Sequence, residues 1–191
     1  MNQKLRKIVA SVALLNLAYF GVEFAVARAI GSVSLFADSV DFLEDTSVNV
    51  LILLALGWSA KSRARVGMLL ACILLVPGAA TLWTAWSNFQ NPVVPSPFLM
   101  TVTGAGALVV NVSCALLLAQ FREHSGSLTK AAFLSARNDA LANIGIIGAG
   151  VLTAVFVSAW PDLIIGLAIA AMNVDAAKDV FAAARKEAQL Q

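Results

Sequence analysis

Six stretches of about 20 or more mostly apolar residues, each long enough to cross a hydrocarbon core roughly 30 Å thick as an α-helix, leave this chain little choice of solvent. They run over residues 8–27, 33–58, 66–86, 98–121, 131–157 and 160–180, with short connections between them. In lipid every backbone N–H and C=O must find its partner within the protein, and apolar runs of this length do so as helices. The fold expected is therefore an all-α membrane protein: six transmembrane helices in a single transmembrane domain over residues 1–191, with no soluble domain. Composition agrees, since 60% of the residues are hydrophobic and 13% are charged. A mean hydropathy of +0.84 lies outside the usual range of soluble domains.

The net charge of +2 invites the thought of an acidic partner, but the basic residues sit in short clusters beside apolar runs. That pattern encodes topology, and it excludes nucleic-acid binding as the reason for the charge. With both termini cytoplasmic, Lys4, Arg6, Lys7, Lys61, Arg63, Arg65, Arg122, Lys130, Lys178, Arg185 and Lys186 all fall inside. Only Arg28 then lies in an external connection, and Arg137 falls within the fifth span. The first run carries Asn16 and Glu23 and no small-residue cleavage site, so it reads as a retained helix and not as a leader. The expected location is a multi-pass integral position in a bacterial inner (cell) membrane. Cys72 and Cys114 lie inside apolar runs and suit packing better than a disulfide or a thiolate site.

One run breaks the apolar rule. Asp38, Asp41, Glu44 and Asp45 crowd the first half of the second span. A single aspartate near the centre of a membrane helix costs roughly 2.5 to 3.5 kcal/mol on insertion scales. At 100° per residue Asp38, Asp41, Asp45 and Asn49 share an arc of roughly 80°, while Glu44 points elsewhere. On the fifth span Ser135, Asn138 and Asp139 share a face by the same geometry. Serines and asparagines alone would suit a hydrogen-bonded helix contact. Three carboxylates facing one way repel one another unless a cation or protons neutralise them, and a divalent cation meets that need.

The residues also resemble a known family. Asn16-Leu17-Ala18-Tyr19-Phe20-Gly21-Val22-Glu23, followed by Gly31-Ser32-Val33-Ser34-Leu35-Phe36-Ala37-Asp38-Ser39-Val40-Asp41-Phe42-Leu43-Glu44-Asp45, is similar to the first two helices of the cation diffusion facilitators. The likeness continues through Leu108-Val109-Val110-Asn111, through the segment Ala131 to Leu141 around Ser135-Ala136-Arg137-Asn138-Asp139, and through Pro161 to Ala170. What the resemblance implies is efflux of a divalent transition-metal ion, commonly zinc, in exchange for protons. It implies a site built from two ligands on each of the second and fifth helices, four residues apart. Positions i and i+4 lie side by side on a helix and can close on one ion. Carried over, the pattern falls on Asp41 and Asp45, and on Ser135 and Asp139.

Ser135 departs from the family, in which that position is most often histidine or aspartate. A hydroxyl is a poor zinc ligand. An oxygen-only set shifts the expectation toward manganese or iron, with cobalt and cadmium also open. Asn138 and Asn143 are candidates for the missing oxygen, and Asp38 for an auxiliary role in ion exit or proton handling. Arg137 is expected to snorkel toward the cytoplasm or to pair with an acid such as Glu44. The soluble domain usual in the family is not expected here, and neither is its His-rich loop, His124 being the only histidine. The partners expected are the metal ion as cargo, protons, the bilayer and a second copy in a homodimer, with no prosthetic group. The alternative is a non-transporting metal-binding membrane regulator or partner subunit. An enzyme is not expected: an intramembrane aspartyl protease would carry a Gly-x-Gly-Asp motif, and Asp139 follows Ala136-Arg137-Asn138.

Overall fold

A computed structural model describes residues 3–54, 79–120 and 127–173, and all regular structure among them is helical. The helices are α1 (Gln3–Ile30), α2 (Val33–Leu54), α3 (residues 79–90), α4 (Pro97–Ala119), α5 (Ser127–Phe156) and α6 (Trp160–Asn173). The basic connection 59–65, most of the expected third span with Cys72 and Pro77, Arg122 and His124, and the end of the sixth span lie outside the described residues.

The helix ends follow local chemistry. Gly31 takes φ 70°, a left-handed conformation open to glycine, and so closes α1. Ser32 then caps α2, its Oγ accepting from the Leu35 N–H at 3.2 Å. Ser96 caps α4, and Pro97 occupies the first turn, where its missing N–H leaves no bond unmade. Val157 ends α5 at φ 49°, uncommon for a β-branched residue, with its N–H bonded to Thr153 O at 2.9 Å.

α1 and α2 form one antiparallel hairpin, α4 and α5 a second, and the hairpins meet through α1 against α4 and α2 against α5. Where α1 crosses α4, the Tyr19 hydroxyl donates to Thr103 O at 2.6 Å and lies over Gly106. Gly104 likewise seats Ile146, so both glycines allow a close approach of neighbouring helices.

The distribution of polarity is inverted relative to a soluble protein. Leu14, Trp83, Phe98, Val109 and Val155 face outward, while Asn16, Glu23, Asp38, Asn49, Asn111 and Asn143 are buried. Two apolar clusters close the interior, one around Val9, Val12, Ile52 and Leu118, the other around Leu35, Met100, Ile146 and Ile169. The polar residues lie between them. α1, α4 and residues Ser135–Phe156 of α5 are long and apolar enough to cross a membrane, and α6 is a shorter apolar helix. The exposed Trp86 and Trp160 meet Phe89 near the start of α6, as interfacial aromatics do, and Trp83 is exposed three residues before Trp86.

Candidate metal centre

The polar interior is built in two layers one heptad apart. Asn16 of α1 donates to Asp45 Oδ2 at 3.3 Å, and seven residues further along α1 Glu23 stands within hydrogen-bonding reach of Asp38, seven residues back along α2. Equal steps in opposite directions are what an antiparallel pair requires. On α5, Ser135 Oγ donates to Asp45 Oδ1 at 2.9 Å, and Asn143 Nδ2 donates to Asp38 Oδ2. α4 braces both layers from positions three residues apart that lie between them: Cys114 Sγ donates to Asn16 Oδ1 at 3.5 Å, and Asn111 Nδ2 to Asn143 Oδ1 at 3.0 Å. At 1.5 Å per residue the layers are about 10 Å apart.

Beside the Asp45 layer opens a cavity of about 100 Å³ lined by Asp41, Glu44, Asp45, Ser135, Asn138, Asp139, Met172 and Asn173. The expected ligands Asp41, Asp45, Asp139 and Ser135 thus line one space, with Asn138 beside them. Ser135 stands between two acids, since it lies within hydrogen-bonding reach of Asp139 as well as Asp45. Asn143 and Asp38 do not line the cavity; they bond to each other in the second layer. Among the described residues no three His, Cys, Asp or Glu side chains stand close enough to grip one ion together. The acids border a shared space and do not form a closed cage.

Two features differ from the sequence reading, and a third, at Arg137, leaves only one of its alternatives. Glu44 lines the cavity although it was expected to point away. It lies three residues after Asp41, hence on the adjoining strip of the helix, and an angular cut-off around Asp45 excludes it. Arg137 pairs with no acid among the described residues; it is exposed, and its Nη2 donates to Asn138 Oδ1 at 3.3 Å. Met172 and Asn173 of α6 border the cavity and carried no sequence signal, because nothing local tells which face of α6 turns toward α2.

A residue outside the cavity positions α2. Asp162, fully buried in the first turn of α6, accepts at Oδ2 from the Val33 N–H (2.7 Å). Its Oδ1 accepts from the Ser34 N–H (3.0 Å), from Ser32 Oγ (2.7 Å) and from Ser34 Oγ. One carboxylate therefore satisfies the opening amides of a neighbouring helix and sits at the positive end of its dipole. Gly166 lets the two helices come this close: a Cβ there would lie 2.8 Å from the Ser34 N and the Val33 C. α2 and α6 start together and run in the same direction, so Glu44 and Met172, eleven and ten residues beyond Val33 and Asp162, reach the cavity at the same depth.

Residues 9–187 match the description of the cation efflux transmembrane domain. No curated protein matches the chain.

Proposed function

The chain belongs to the cation efflux family, so it is an integral membrane protein of metal-cation transport, and from that premise we propose that it exports a divalent transition-metal ion in exchange for protons. The observation that carries this reading is the cavity where Asp41 and Asp45 of α2 meet Ser135 and Asp139 of α5. Asp41, Asp45 and Asp139 are the ligands proposed, with Ser135, Asn138 and Asn173 as further oxygen donors. The lining residues that offer donors offer oxygen, with only Met172 contributing sulfur, so manganese and iron(II) suit the site at least as well as zinc. Transport follows when the bundle rocks about the bound ion and exposes it on the other face. Protons compete for the same carboxylates: a metal ion requires them ionised, and its departure leaves crowded like charges that protons neutralise.

The test is metal-driven proton flux in liposomes with Mn²⁺, Fe²⁺, Zn²⁺, Co²⁺ and Cd²⁺ offered in turn. Wild-type flux for at least one ion, abolished in the Asp45→Asn, Asp139→Asn double variant, is expected. Flux that survives the double variant would rule out this site. The engagement of Ser135 with Asp45 favours a second reading, a metal-binding membrane regulator or partner subunit. Stoichiometric binding of one ion with no flux would select it.

A further inference from the structure

The second polar layer has a chemical deficit that the first does not. Glu23 and Asp38 are both fully buried. Asp38 Oδ2 accepts from Asn143, but among the described residues Asp38 Oδ1 and both oxygens of Glu23 meet no donor. The two carboxyl groups stand within hydrogen-bonding reach of one another, so acceptor faces acceptor. A buried carboxylate left unpaired costs several kcal/mol, and two in contact cost more. The charged and titratable groups around the pair among the described residues do not relieve it, being Tyr19 of α1, Asp41 and Asp45 of α2 and Asp139 of α5. The Tyr19 hydroxyl spends its proton on Thr103 O. A divalent metal ion takes about four to six or more donors, normally from three or more side chains, and this pair supplies two. A proton needs only two, as in carboxyl dyads that share one.

We propose that Glu23 and Asp38 form a proton site distinct from the metal cavity, in which one proton is shared between the two carboxyl groups and is given up when the cation binds. The second half rests on the exchange reading above. The layers communicate along both helix pairs: Asn143 and Ser135 of α5 bond to Asp38 and Asp45 of α2, and Glu23 and Asn16 of α1 reach the same two aspartates. A positive charge arriving among Asp41, Asp45 and Asp139 makes the shared proton less welcome one heptad away. Releasing it leaves total charge in the interior less altered.

The experiment uses the full chain with Glu23→Gln and Asp38→Asn, each of which replaces the shared proton by an amide N–H of similar reach. Difference infrared spectra, wild type minus variant, are expected to show a protonated-carboxyl C=O band lost in both variants and separate from any carried by the cavity aspartates, with thermal unfolding unchanged or raised in each. A band absent from the wild type, or retained in both variants, overturns the shared proton. In liposomes the number of protons exchanged per Mn²⁺ or Zn²⁺ ion is expected to fall by one in Glu23→Gln, while calorimetry shows the same metal stoichiometry. An unchanged ratio overturns release on metal binding. If the wild type moves no ion at all, the transport reading fails, and the infrared band alone still decides whether the proton is there.

Discussion

Asp45 gathers more of the site than any other side chain, taking hydrogen bonds at one oxygen from Asn16 and at the other from Ser135. Partners that orient a metal ligand are worth roughly 10- to 100-fold in affinity. Asn16→Ala is therefore expected to weaken metal binding about tenfold in calorimetry, and unchanged affinity would show that Asp45 is not a ligand. Ser135→His places an imidazole beside Asp45 and Asp139 and is expected to raise zinc affinity relative to manganese by roughly tenfold or more. Competition between the two ions reads this directly, and an equal change for both would remove Ser135 from the site. At Asp162 the prediction concerns stability. Asp162→Ala leaves two amide N–H groups and two hydroxyls of Ser32, Val33 and Ser34 without their acceptor, at a cost of about 3 kcal/mol seen as a lower unfolding temperature in detergent. The three cavity aspartates were legible because carboxylates at helical spacing in an apolar run have few explanations. Asp162 was not, because a cap supplied by a helix some 130 residues away in sequence leaves no local trace.

At the scale of the helix, contact distance decides which substitutions are tolerated. A methyl group at Gly166 would meet the backbone of Val33 and Ser34, which cannot yield without moving α2. Gly166→Ala is expected to destabilise by roughly 1 to 3 kcal/mol. Gly148 faces open space on α5, and Gly148→Ala is expected to be neutral or slightly stabilising through helix propensity. Equal unfolding temperatures for the two variants would contradict the close packing of α2 on α6. The helices themselves were readable as apolar runs, and their described ends fall within a few residues of those expectations, apart from the start of α1, where the helix continues through the polar residues Gln3 to Lys7. Their pairing register was not readable. Asn16 opposite Asp45, and Asn143 opposite Asp38, are facts of the antiparallel packing that no single helix declares.

For the whole molecule, the outward apolar face and inward polar face make a bilayer the medium in which this bundle closes. With both termini on the cytoplasmic side, as the distribution of Lys and Arg proposes, the turn before α4 lies on the opposite face. A membrane-impermeant maleimide applied to sealed right-side-out cells or vesicles is expected to label Asn91→Cys and not Gln3→Cys; labelling of both from one side would reject that topology. One consequence of the Asp162 bond to the start of α2 concerns leverage. The carboxylate joins two parallel helices at one end, and the cavity lies at the other, roughly 16 Å away by helical rise. A swing of about 10° around that joint parts Glu44 from Met172 by about 3 Å, comparable with the span of a metal–oxygen bond. Such a pair would work as a compass with its joint at Asp162, the aperture at its points set by angle, with no need for either helix to slide along the other.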